Sequence, residues 1–338
     1  MRRGILTIVV AVCVFGWRLP AQATTFVYDR MTPDGQHVVQ TVTPATAPSL
    51  SPTERRTIQA ARHYKALFTP TDPYWPIQWN LVTLDMPGAW EASTPAPYGG
   101  SPSVIVAVLD TGVAYEANGT AQKAPDLSAA SIWTNGAEIA GNGIDDDGNG
   151  YVDDVHGWNF ISTNGHPDDT NGHGTHVTNT IAAGINNGIG TAGIAPKVTI
   201  LPIKVLDGSG VGTTATIANG IHYAIDNGAN IINLSLGGTD DDPLLSQAID
   251  DAKTAGVIVV AAAGNDGYGT LNFPARYPGV ISVGAVQYDR TRAPYSNYGS
   301  GLTVMAPGGN IDLDQNADGQ PDGIAAQTCS SSACSSFS

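Results

Sequence analysis

Five short stretches of the chain are dominated by apolar, often β-branched residues. They are VIVAVL from Val104, VTILPIKVL from Val198, NIINLSL from Asn230, GVIVVAAA from Gly256 and GVISVGAV from Gly279. A strand with one wet face alternates apolar and polar residues, whereas a parallel strand covered on both faces reads as a continuous apolar run. Between these stretches lie helical candidates at Thr175 to Gly184, Thr213 to Asn227 and Pro243 to Gly256. Strand and helix in alternation predict an α/β fold, a doubly wound and mostly parallel sheet with helices on both faces. Such sheets place their sites at the carboxyl ends of strands. Asp110, Ser235 and Asn265 all fall at such ends, and no repeat of solenoid length interrupts the pattern.

The first part of the chain reads differently. Arg2 and Arg3 precede an apolar run from Ile5 to Phe15, and AQA closes at Ala23. This predicts a secretory signal peptide over residues 1–23, too short in its apolar part to span a bilayer. Residues 24–70 form a second region. TVTPATAPSLSPT is a Pro/Thr/Ser-rich linker, and Ser51, Pro52 and Glu54 open a helix running to about Phe68. The main domain is expected over residues 71–338.

Composition narrows the choice. The chain has 338 residues, with Lys+Arg 15, Asp+Glu 30 and a net charge of −15. Loss of the signal removes Arg2, Arg3 and Arg18 and no acid, so the remainder is more acidic still. That excludes a protein whose affinity rests on neutralising phosphates. An exported chain with no later apolar span implies a secreted or periplasmic protein without stable membrane association. Cys329 and Cys334, in CSSSAC, either close a small loop in an oxidising compartment or remain free thiols.

The run VIVAVL leads into Asp110-Thr111-Gly112. Aspartic proteases use such an element but need two carboxylates sharing a proton, and the chain has no second copy. NGHGTHV places His173 at a helix start between two glycines. There the helix N-terminus disfavours an imidazolium and a nearby carboxylate favours it, which suits a general base. His176 follows one turn later, as a packing histidine or, in a metal hydrolase, as a ligand beside His173. AAAGN puts Asn265 after a strand, where its amide can donate to an oxyanion.

Together these motifs resemble the subtilisin family of secreted serine endopeptidases. AVLDTGV resembles the family's aspartate motif, NGHGTHV its histidine motif, INLSLGG its substrate-binding strand and AAAGN its oxyanion motif. FPARYPGVISVGAV, YSNYG and MAPGG follow in the family's order, so the match runs from about Asp72 to Gly309. The resemblance implies that Asp110 orients His173, His173 takes a proton from a serine, and Asn265 holds the oxyanion. Ser235, Leu236 and Gly237 would pair with an extended protein substrate flanked by Gly208, Ser209 and Gly210. The family's serine lies in a G-T-S-M-A-type motif after MAPGG. No serine in CSSSACSSFS matches it, so no nucleophile is assigned and the chain reads as truncated before it. The alternatives are a non-catalytic, calcium-binding peptide-recognition module and the metal hydrolase above.

Two acidic loops point to calcium. GNGIDDDGNGYVDD offers Asp145, Asp147, Asn149 and Asp153 on alternate positions, like the first part of an EF-hand loop, with His156 where the terminal Glu would stand. DQNADGQPD offers Asp314, Asn316, Asp318 and Asp322 around Gly319. The resemblance implies a further calcium site made by Asp126, Asn187 and carbonyls near Ile189 and Thr191, with Asp72 as an added ligand. It also places a pro-segment over residues 24–70.

Overall fold

The computed structural model describes residues 26–31, 37–42, 68–92, 99–117, 122–127, 131–330 and 333–337. The expected signal peptide and most of the helix ending near Phe68 lie outside these residues. The chain divides into two compact units, one of them residues 13–67. Within that smaller unit, β1 (Phe26–Met31) and β2 (His37–Val42) pair antiparallel, Phe26 opposite Val42. The linker reading did not foresee this hairpin.

In the larger unit two short helices, α1 (Trp79–Thr83) and α2 (Met86–Ala92), precede the first central strand, β3 (Ile105–Asp110). Then come β4 (Ser131–Ile132), β5 (Trp158–Asn159), α3 (His173–Ala182) and β6 (Thr199–Lys204). They are followed by α4 (Thr214–Asp226), β7 (Ile231–Leu234), α5 (Pro243–Thr254) and β8 (Ile258–Ala262). The last are β9 (Ile281–Val286), β10 (Val304–Pro307), β11 (Gln327–Ser330) and β12 (Ala333–Phe337). The five apolar runs are the strands β3, β6, β7, β8 and β9, and the three helical candidates are α3, α4 and α5.

The sheet runs β10-β9-β8-β7-β3-β6-β4, with β5 added on β6, and every pair in it is parallel. The chain therefore moves from β3 outward through β6 on one side, then crosses back to β7 and proceeds the other way. The carboxyl end of β3 is the switch point, where an open α/β sheet leaves a crevice. Asp110 is the last residue of β3 and pairs in register with Lys204.

Successive residues of one continuous apolar run serve two cores, because side chains alternate across a sheet. Ala107 and Leu109 of β3 pack with Ile221 of α4 and Ile249 of α5. Val106 and Val108 pack instead with Val177 and Ile181 of α3. Helices on both faces are what an unbroken run requires. Local signals fix the helix starts. Thr213 and Thr216 form a reciprocal capping box before α4, and Asp242 caps α5 ahead of Pro243. Beyond the sheet, β11 and β12 pair antiparallel and Cys329 is disulfide-bonded to Cys334.

Candidate active site

The site is built where the end of β3 meets the start of α3. Helix α3 begins at His173 itself, the helix start that NGHGTHV marks, two residues ahead of the Thr175 bound of the helical candidate. Gly172, the residue before it, has φ 106°, a left-handed conformation that favours glycine. Gly174 permits the close approach: a Cβ there would lie 2.1 Å from the Gly112 carbonyl oxygen. His173 Nδ1 and Asp110 Oδ1 are thus 2.7 Å apart, with Asp110 fully buried and the imidazole side chain 11% exposed.

Burial is the largest single influence on His173 and opposes the charged ring. The Asp110 carboxylate, through its charge and hydrogen bond, and Asp169 together more than reverse it, so His173 holds a proton above its ordinary range. The Thr111 N–H donates to Asp110 Oδ1 at 2.7 Å, while Asp110 Oδ2 is buried without a hydrogen-bond partner.

Asp169 is a residue the sequence reading missed. Its Oδ1 accepts from Thr111 Oγ1, the Asn171 N–H and the Gly172 N–H, each at 2.9 Å. Its Oδ2 accepts from the Thr175 N–H at 2.9 Å and Thr175 Oγ1 at 2.6 Å. One buried carboxylate thereby satisfies orphan donors at the start of α3 and ties them to the turn after β3. The available signal was an Asp just ahead of a helix start. His176 Nε2 lies 3.0 Å from the Ile324 carbonyl oxygen. Among the described residues neither His173 nor His176 belongs to a group of three potential metal ligands.

A cleft of about 580 Å³ opens beside His173. Ser235, Leu236 and Gly237, directly after β7, form one wall, and Gly210, Val211 and Gly212 another; Leu206, Ile217, Leu245 and Phe273 supply apolar lining. Gly208 and Ser209 are not in the lining. Their turn is ordered by its own Asp207, whose Oδ1 accepts from the Ser209 and Val211 N–H groups at 2.8 and 3.0 Å, and by Asn171, whose Nδ2 donates to the Gly208 carbonyl at 3.1 Å. Asn265 is exposed beyond β8, after Gly264, and does not line this cleft.

The acidic loops differ among themselves. Carboxylate oxygens of Glu138, Asp145 and Asp147 lie within 4.8 Å of one another. Glu138 escapes the sequence reading because it stands upstream of the alternating pattern. It is buried and accepts from the N–H groups of Asp146, Asp147 and Asp153 at 2.8, 3.2 and 3.1 Å. Asp153 turns instead to the N–H groups of Asn142 and Gly143, and Asn149 Oδ1 accepts from the Tyr151 N–H. Oxygen-only donors at this spacing fit a hard cation.

In the second candidate site, Asp126 is fully buried and accepts from Asn187 Nδ2 at 2.9 Å and the Thr191 N–H at 2.8 Å. Burial, reinforced by Asp72, pushes its carboxyl up to about 6. Asp72 accepts from the N–H groups of Asn186 and Asn187, and Asn187 Oδ1 from that of Ile189. A buried carboxylate beside another is a setting a cation stabilises. The loop from Asp314 is less convergent. Asp314 accepts from the N–H groups of Asp318 and Gly319, Asp318 from Asn316 Nδ2, and buried Asp322 from the Gln315 N–H.

Residues 101–337 match the Subtilase family, Peptidase_S8. Thermitase of Thermoactinomyces vulgaris is 38% identical over 242 residues, which is 71% of this chain and 74% of that protein. Subtilisin Savinase of Lederbergia lenta is 45% identical over 155 residues, and the aligned part is 46% of this chain and 57% of Savinase. A solved protease from Pseudoalteromonas arctica PAMC 21717 superposes with a TM-score of 0.60 at 34% identity, over 80% of each chain. Among the described residues no helix is long and apolar enough to cross a membrane. The order of the sheet, the Asp110–His173 contact at its switch point and these matches agree: the chain belongs to the subtilase family.

Proposed function

We propose that the protein is a serine-type endopeptidase that hydrolyses peptide bonds of protein substrates. The observation that carries this is the 2.7 Å contact between Asp110 Oδ1 and His173 Nδ1 beside an open cleft. An extended peptide would add alongside Ser235–Gly237, with Gly208–Gly210 on its other side, held by backbone hydrogen bonds. Asp110 would fix the imidazole and stabilise its charged form. His173 Nε2 would take the proton of a serine hydroxyl and return it to the leaving amine. Asn265 would donate to the oxyanion.

Among the described residues no serine is hydrogen-bonded to His173. The nucleophile is therefore unassigned, and the chain as given is proposed to be inert toward a fluorophosphonate probe. That same observation favours the second reading, a peptide-recognition module without turnover. Calcium would be structural, held by Glu138, Asp145 and Asp147 in one loop and by Asp72, Asp126 and Asn187 in the other. Residues 1–23 would direct export and residues 24–70 act as a pro-segment. The test is casein hydrolysis by the product of the gene's full reading frame. Turnover that disappears in His173→Ala supports the endopeptidase; peptide binding with no turnover supports the module.

A further inference from the structure

Among the described residues, Lys204 is the one lysine or arginine that is buried, 4% exposed, and the triad chemistry does not use it. It ends β6 in register with Asp110, on the strand next to β3. Its ammonium donates to the carbonyl of Thr111. Thr111 is bonded through every polar group it has. Its N–H donates to Asp110, its Oγ1 donates to Asp169 and accepts from the Gly174 N–H, and its carbonyl accepts from Lys204. Four groups that set the Asp110–His173 contact thus converge on one residue, and Lys204 is the only cation among them.

We propose that Lys204 is a positioning residue of the Asp110–His173 pair, pinning the turn after β3 and supplying the buried positive charge that offsets the Asp110 and Asp169 carboxylates. Two buried carboxylates on either side of Thr111 repel each other, and charge buried without an opposite partner is strongly disfavoured. The groups facing the ammonium come from three segments. Asp168 and Asp169 precede α3, Asp110 ends β3 and Asp207 follows β6; all four act against burial, which draws the lysine toward its neutral form. Asp110 and Asp169 are the groups that raise the His173 titration. A cation set beside both carboxylates opposes an imidazolium, so Lys204 is expected to counter part of what they do.

This inference rests on reading Asp110 and His173 as an acid–base pair, but its test does not need turnover. The His173 ring is titrated by NMR in the full chain, in Lys204→Met, Lys204→Gln and Lys204→Arg. Removing the charge is expected to raise the His173 titration by about half a unit or more. Arg is expected to restore the original value, and Gln, which can still donate to Thr111, to behave like Met. A lysine with a packing role alone would leave the titration unmoved in folded Lys204→Met, and that result would overturn the proposal. So would failure of both neutral variants to fold while Lys204→Arg folds with an altered titration. Asp110→Asn serves as control: if it leaves His173 unmoved, the acid–base reading itself fails.

Discussion

The turn after β3 and the loop from Glu138 to Asp154 are both acidic, yet they are organised by opposite means. Around Asp110 the carboxylates are buried, and besides bonds to neighbours each makes one to a residue distant in sequence, Asp110 to His173 and Asp169 to Thr111, with Lys204 nearby. Around Asp145 the carboxylates mostly bond N–H groups of their own loop, such as those of Gly148 and Gly150. The first arrangement is fixed by packing against two strands and a helix. The second gathers more like charges on exposed turns, reached from outside by Asn135 at Asp147 and Asp154 and by Tyr223 at Asp154, so a cation has most to contribute there. The difference predicts where substitutions act on chemistry and where they act on stability alone.

The largest contrast is catalytic. In a form of the protein that turns over substrate, Asp110→Asn is expected to lower turnover by roughly 10⁴ with the fold intact, as in other serine peptidases. Asp145→Asn is expected to leave turnover near that of the parent when calcium is present. Asn265→Ala falls between, with a loss of roughly 10² to 10³, a magnitude known from a subtilisin and hence from a relative of this chain. Steady-state kinetics on one peptide substrate separates the three, and equal losses at Asp110 and Asp145 would erase the distinction.

Glycines sharpen the comparison next. At Gly174 a Cβ would press on the Gly112 carbonyl from 2.1 Å, whereas at Gly148 nothing lies within 4 Å and only the positive φ of 74° resists. Gly174→Ala is expected to cost about 3 kcal/mol in denaturant unfolding. Gly148→Ala should cost about 1 kcal/mol.

Calcium then reads out the loops alone. At calcium a hundredfold above its dissociation constant, binding to the native state adds about 2.7 kcal/mol, or roughly 4–5 °C of melting temperature at this size. A chelator should remove that gain, and Glu138→Gln should diminish it without moving the His173 titration. A melting temperature indifferent to chelator would reject the structural sites.

Much of this was legible in the sequence. The five β-branched runs gave the central strands because a strand covered on both faces leaves no polar position, and β3 does serve two cores. Asp110 and His173 were legible because glycines beside them mark backbone that must approach closely. What was hidden is what depends on three-dimensional convergence. Asp169 and Lys204 lie in segments read only as loop and strand, and nothing local shows that both reach Thr111. Glu138 stands outside the alternating pattern it completes. The hairpin β1–β2 was missed because a Pro/Thr/Ser-rich stretch downstream of it set the reading of the whole region.

The most direct test of the central claim, that Asp110 and His173 form a preorganised acid–base pair, is the NMR titration of the His173 ring in the parent and in Asp110→Asn. In the parent, the Asp110 and Asp169 carboxylates together outweigh burial, so the ring should titrate above the ordinary value of 6.5. In Asp110→Asn, burial is the largest influence left and disfavours the charged ring, so the titration should fall below that value. A ring that titrates at the same pH in both proteins would contradict the account.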